Sequence, residues 1–252
     1  MKTKSLTELL GTKYPIIMAP MFLVSNTKMV IEACNNGIAG AIPALNFRTD
    51  EELRAAIKEM KSKCDGPIGI NLIVNKSNPK MSQQLKTSVE LGVDFILTSL
   101  GSPKSVIEAC KPKGIKVLCD VTDLKFAQKV ESLGADAVIA VNNQAGGHKG
   151  NMNPEELIPL LVNNCNIPII SAGGVGNKKE LDYMLSLGAC GVSVGSIFIA
   201  SEESGVSKEY KEACVNYGAD DIVMSTKISG TPCTVINTPY VEKIGTSQSW
   251  LE

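Results

Sequence analysis

The chain contains a single histidine, His148, set in the run Gln144-Ala145-Gly146-Gly147-His148-Lys149-Gly150. An imidazole that titrates near neutrality can remove a carbon-bound proton or hydrogen-bond a developing oxyanion, and neighbouring glycines such as Gly146 and Gly147 bring it close to a ligand. On composition alone, a solvated loop histidine is the plainer reading; its position in the fold is what favours chemistry. Two further runs, Ser171-Ala172-Gly173-Gly174-Val175-Gly176 and Val194-Gly195-Ser196, have the residue types of a phosphate site. Glycine N–H groups reach an anion without a Cβ in the way, and a helix N-terminus adds a favourable dipole. Gly173, Gly174, Gly195 and Ser196 are therefore the candidate phosphate binders, and Gly146, Gly147 and Ser171 join them as candidate cofactor-binding residues. In Ala19-Pro20-Met21 a stiff proline beside a flexible methionine suits a loop under a flat ring, and the Asn71 amide could read a heterocycle's carbonyls and ring nitrogens. Tight turns and an ordinary loop amide explain the same residues without a ligand.

These residues need elements to hold them. Short runs rich in Ile and Val alternate with amphipathic stretches, the pattern of βα units in a parallel sheet. The predicted strands are 15–19, 38–42, 67–73, 94–99, 115–121, 137–141, 168–172 and 191–195. Helical spacing falls at 51–63, 79–91, 124–133, 154–162 and 178–187, with Asp50, Ser102, Asp123 and Asn177 as candidate N-caps. Leu91-Gly92, Leu133-Gly134 and Leu187-Gly188 repeat a glycine where a helix must end and the chain turn into the next strand. Eight such strands could form an open doubly wound sheet, but the count favours a closed (β/α)8 TIM barrel. The chain is then one domain, 1–252, with the barrel over about 14–217 and a closing segment over about 218–252. On this topology the glycine runs and His148 follow strands six, seven and eight, on the face where barrel enzymes assemble their sites.

Composition narrows the function. The 25 Lys and Arg balance 26 Asp and Glu, so no basic excess exists to bind a phosphate backbone, and nucleic acid is not an expected partner. The start of the chain offers only Leu9-Leu10 as an apolar run, too short for a signal peptide or membrane span, which predicts a cytoplasmic protein without membrane attachment. The eight cysteines stand far apart without CxxC or Cys/His ligand spacing, and are read as buried or half-buried free thiols rather than disulfides or a metal site.

The segments Ile17-Met18-Ala19-Pro20-Met21, Ala145-Gly146-Gly147-His148-Lys149-Gly150, Ala172-Gly173-Gly174-Val175 and Val194-Gly195-Ser196 resemble, in order, those of the nitronate monooxygenase (2-nitropropane dioxygenase-like) family. The likeness runs from strand one to about Asn237. It implies an FMN-dependent oxidoreductase that oxidises alkyl nitronates with dioxygen. It further implies that Ala19, Pro20 and Met21 pass beside the flavin ring, that Asn71 hydrogen-bonds it, and that Gly173, Gly174, Gly195 and Ser196 hold the FMN phosphate. His148 would face the substrate side as base or as a hydrogen-bonding group to the nitro oxygens. The substrate is then a small molecule, and a homodimer is a family-level expectation.

The chain departs from that pattern in places. It reads Val141-Asn142-Asn143-Gln144 where the family often has a Gln-Gly pair and then an acid, and it is short after strand eight. Its tail, Ser229-Gly230-Thr231-Pro232-Cys233-Thr234-Val235-Ile236-Asn237, resembles the family's closing loop without the arginine often found there. Trp250-Leu251 at the end could dock on a second subunit, although a fraying terminus is the simpler reading. The nearest rival is an FMN-dependent enoyl-acyl-carrier-protein reductase, which shares the histidine element and would need NAD(P)H as donor and a basic patch to steer an acidic carrier. A non-redox isomerase or lyase on the same phosphate loops would draw on Asp120, Asp123 or Lys149. A flavin-binding protein without turnover, with His148 structural, is a third class.

Overall fold

A computed structural model describes residues 4–227, 230 and 232–247. A short helix, α1 (Leu6–Leu10), precedes eight parallel strands: β1 (Ile16–Met18), β2 (Ala39–Pro43), β3 (Ile68–Ile73), β4 (Phe95–Ser99), β5 (Lys116–Val121), β6 (Ala137–Val141), β7 (Ile169–Ala172) and β8 (Gly191–Val194). They hydrogen-bond in sequence order and close, β1 pairing with both β2 and β8. Helices α2 (Thr27–Asn35), α3 (Asp50–Lys63), α4 (Met81–Glu90), α5 (Lys104–Cys110), α6 (Leu124–Leu133), α7 (Pro154–Asn164) and α8 (Lys178–Ser186) connect them. The architecture is the eight-stranded TIM barrel expected from the repeat.

Alternation along the strands divides the apolar residues into two cores. Ile17, Ala39, Ala41, Phe95, Leu97, Leu118, Ala137, Ile139 and Ile170 fill the inside of the barrel. The residues between them on the same strands, among them Met18, Ile42, Ile68, Ile70, Ile96, Val117, Cys119 and Ile169, pack outward against the helices. The interior is sized by glycine: a Cβ on Gly69 would overlap the ring of its β4 neighbour Phe95, and one on Gly191 would meet Leu6. Leu6 is fully buried and stoppers the barrel from its N-terminal end. A capping box between Ser5 and Glu8 and the bond from Leu6 N–H to the Cys190 carbonyl (3.0 Å) hold α1 in place.

Helix starts show where local sequence is decisive. Asp123 and Asn177 are N-caps, their side chains accepting from the N–H of Phe126 and Glu180. Asp50 is not: Thr49 takes the cap in a box with Glu52, and Asp50 moves into the first turn, where it pairs with Arg54 (2.6 Å). Nor is Ser102, since α5 begins after Pro103 with no side-chain cap. Gly92, Gly134 and Gly188 adopt φ of 65°, 96° and 105°, the left-handed turn that the repeated Leu-Gly pairs predict. All eight cysteines are free thiols, and burial pushes those of Cys110 and Cys190 up to about 12, leaving them protonated and unreactive at neutral pH.

Beyond β8 lie α9 (Ser196–Ile199), α10 (Lys208–Asn216), an antiparallel hairpin of β9 (Ile222–Ser225) and β10 (Cys233–Ile236), and α11 (Pro239–Ile244). Ser229, Thr231, Trp250 and Leu251 lie outside the described residues. Among the described residues, no helix is long and apolar enough to cross a membrane.

Because Gly69 leaves the space that Phe95 fills, Gly69→Ala is expected to cost about 1–3 kcal/mol through overpacking. The denaturation midpoint should fall with an unchanged slope. Adding Phe95→Leu to Gly69→Ala should recover part of the loss, although Phe95→Leu alone is destabilising.

Candidate active site

Parallel strands all end on one face, so the loops after β1, β6, β7 and β8 converge on the barrel mouth. Ala19 continues the β1 pairing, its N–H donating to the Val194 carbonyl (2.8 Å). Ser25 then folds the following turn, accepting from the Met21 N–H (2.9 Å) and donating to the Ala19 carbonyl (3.4 Å). Gly195 sits directly against this turn, where a Cβ would stand 3.3 Å from the Met21 sulfur and 3.7 Å from the Ala19 Cβ. Loops one and eight are thus in contact, and Ala19, Pro20 and Met21 are half-buried at their junction.

The β6 loop is organised by a residue that sequence reasoning noted only as a departure. Asn142 is fully buried. Its side-chain oxygen accepts from the Gln144 N–H (2.8 Å), its amide donates to the Gly173 carbonyl (3.1 Å), and its own carbonyl accepts from Gly150 (3.2 Å). One residue therefore ties the start of the His148 loop to the β7 loop through its side chain and the end of that loop through its main-chain carbonyl. Gly173 and Gly174 make that approach possible, with φ of 111° and 77°. A Cβ on Gly173 would strike the Asn142 oxygen and the Ala145 backbone, and one on Gly174 would overlap the Gln144 side chain. On the other flank a Cβ on Gly146 would lie 3.1 Å from the Ser196 hydroxyl, which places the β6 and β8 loops side by side.

His148 stands exposed on the crest of its loop, and the far side of that loop is held by the closing hairpin. The Gly147 N–H donates to the Thr234 hydroxyl (2.8 Å), and the Thr234 N–H donates to the Gly147 carbonyl (3.0 Å). The arginine-free tail thus meets the His148 loop through a threonine and main-chain bonds. Gly147 needs its φ of 71° to make this bridge.

The predicted site residues from β6, β7 and β8 are brought together, with one exception in orientation. Ser171 shares its parity with Ile169, whose side chain lies in the outer layer, so its hydroxyl is buried behind β7 rather than turned into the mouth. Its contribution to the loop is its backbone. Among the described residues, the N–H groups of Gly173, Gly174 and Gly195 donate to no acceptor, which suits them to an anion.

Opposite these loops, the interior positions at the tops of β3, β4 and β5 are polar. Asn71 donates through Nδ2 to Ser99 Oγ (2.9 Å) and to the Leu97 carbonyl (3.4 Å), and Ser99 donates to Asp120 Oδ2 (2.5 Å). Asp120 is open to solvent through the mouth, yet strand ends ring it on the other sides. That crowding pushes its carboxyl up to about 6, opposed only by the Ser99 hydrogen bond. Ser99 and this relay were missed by sequence reasoning; strand parity with Leu97 and Leu118 is the signal that could have found them.

The family model for nitronate monooxygenase matches residues 3–250. The chain belongs to the nitronate monooxygenase family. A probable nitronate monooxygenase of Staphylococcus saprophyticus is 31% identical over 283 aligned positions, covering 94% of this chain and 79% of the relative. That alignment is longer than the 252-residue chain, so the relative carries segments this chain lacks. A relative from Rhodococcus jostii, named a (3aS,4S,5R,7aS)-5-hydroxy-7a-methyl-1-oxo-octahydro-1H-indene-4-carboxyl-CoA dehydrogenase, is 30% identical over 95% of this chain and 67% of its own length. Among solved structures, FabK from Thermotoga maritima superimposes with a TM-score of 0.89 at 32% identity, over 96% of this chain and 77% of that one. A nitroalkane oxidase from Streptomyces ansochromogenes shares the fold, with a TM-score of 0.86 at 22% identity over 95% of this chain and 81% of its own. As a member of this nitronate monooxygenase family, the chain is an oxidoreductase of the flavin-dependent kind.

Since Asn142 joins two loops from a buried position, Asn142→Ala is expected to destabilise the protein by about 1–3 kcal/mol. Thr234→Val should instead leave global stability within about 0.5 kcal/mol and act locally. Hydrogen-exchange mass spectrometry should show faster exchange confined to peptides spanning residues 144–150.

Proposed function

We propose that the protein binds FMN in the barrel mouth and oxidises small alkyl nitronates with dioxygen, with His148 as the catalytic residue. The observation that carries this reading is the convergence of the β6, β7 and β8 loops: Asn142 bonds Gly173, and Gly146 closes on Ser196. The glycines of the β7 and β8 loops leave main-chain N–H groups without acceptors among the described residues. Gly173, Gly174, Gly195 and Ser196 would hold the phosphate, while Ala19, Pro20, Met21 and Asn71 would flank the ring. Bound FMN would supply the electron acceptor, returning electrons to dioxygen.

The chain's own residues would do the rest. Gly146 and Gly147 keep the approach to His148 free of side chains, and the two tethers, Asn142 and Thr234, limit the motion of its loop. The imidazole would hydrogen-bond the nitro oxygens of the anionic substrate, or take the α-proton where the neutral nitroalkane enters. A second reading comes from the carboxyl-CoA dehydrogenase name of the Rhodococcus jostii relative: redox at an acyl thioester, with NAD(P)H as a candidate donor.

Purified protein, reconstituted with FMN if colourless, is expected to show a flavin spectrum that bleaches with propyl-2-nitronate under anaerobic conditions and recovers in air. His148→Ala should keep FMN but slow the bleaching by about 10²–10⁴-fold. Bleaching by NADH or NADPH but not by nitronate would favour the thioester reading, and protein that takes up no FMN would exclude both.

A further inference from the structure

The polar row at the tops of β3, β4 and β5 has a direction. Asp120, when ionised, can only accept hydrogen bonds, so the single Ser99 O–H is committed to it at 2.5 Å. Towards its other neighbours Ser99 then offers only lone pairs, and it accepts from Asn71 Nδ2 at 2.9 Å. The second neighbour of that Nδ2, the Leu97 carbonyl at 3.4 Å, is also an acceptor. The NH₂ end of the Asn71 amide is thereby fixed to the barrel wall, and its carbonyl oxygen is the end left for a ligand.

We infer that Asp120 is a positioning residue which, through Ser99, orients the Asn71 amide so that the mouth selects a ligand presenting a hydrogen-bond donor, such as the imide N–H of a flavin. The inference rests on the FMN reading above. It deepens that reading by assigning roles to two residues and a polarity to a third.

The polarity depends on the charge of Asp120. Protonated, its carboxyl can donate to Ser99, whose O–H is then released to donate to the Asn71 oxygen; the amide turns and offers its NH₂ to the ligand instead. The surroundings leave this switch to Asp120 itself. β4 (Phe95–Ser99) and β6 (Ala137–Val141), which flank it, carry no ionisable side chain. In the nearby loops, Asp123 is engaged as the cap of α6, and His148 and Lys149 lie on the β6 loop. Among the described residues, Asp120 makes no ion pair within 4.0 Å. Its carboxyl holds its proton up to about pH 6, so the donor-selecting arrangement belongs to pH above that value and is lost as pH falls through it.

The test is the preference for FMN over N3-methyl FMN, the ratio of their dissociation constants read by quenching of flavin fluorescence between pH 5 and pH 8; the second ionisation of the phosphate, at about pH 6 in both ligands, cancels in the ratio. For the wild-type protein, that preference should rise by about tenfold as pH passes about 6, the worth of one hydrogen bond to the imide. The step should vanish in Asp120→Asn and in Ser99→Ala and survive in Ser99→Thr. It should also survive in His148→Ala, which separates it from imidazole titration. A wild-type preference that does not change with pH, or a step that persists in Asp120→Asn, would overturn the inference while leaving the FMN reading intact. Absence of FMN binding at every pH would overturn both.

Discussion

Closure of the sheet is the constraint on which everything else depends. β1 is only three residues long, yet it pairs on both sides, with Ile17 opposite Ala39 and Ser193. The join continues one residue further, where the Ala19 N–H reaches the Val194 carbonyl, and this sets the Met21 turn against Gly195. An open sheet would leave those loops at opposite edges. Closure also fixes the interior volume, which explains why Gly69 yields to Phe95 and Gly191 to Leu6. The bottom of the barrel is taken up by packing, and the candidate site residues lie at the top.

At the top, two polar systems hold the mouth from opposite sides. Asn142 joins the β6 and β7 loops from a fully buried position, and a buried amide with its donor and acceptor both satisfied specifies one loop arrangement strongly. Across the mouth, Asn71, Ser99 and Asp120 form a row with no ion pair among the described residues, its carboxyl held by the Ser99 hydrogen bond. Between them, His148 sits on an exposed crest tied down by Asn142 on one flank and Thr234 on the other. Rigid supports around an accessible group are what a small reacting substrate requires.

The closing hairpin gives the short C-terminal region a purpose. Relatives in the family carry additional segments, while here β10 reaches the Gly147 main chain through Thr234. The contact joins the tail to the His148 loop by a two-bond bridge that uses no arginine.

The sequence by itself determined the elements and the types of chemistry. Alternating Ile/Val runs marked all eight strands, Leu-Gly pairs marked the left-handed helix ends at Gly92, Gly134 and Gly188, and three glycine runs with one histidine marked the business face. Such signals are local, because strand alternation and turn conformation are set by residues a few positions apart. Tertiary structure decided the partners. Ser99 meets Asp120 across 21 positions and Asn71 across 28, and Thr234 meets Gly147 across 87, separations at which spacing carries no information until the barrel closes. It also turned the Ser171 hydroxyl away from the mouth, because a side chain's face depends on where its strand begins, and a shift of one residue reverses it.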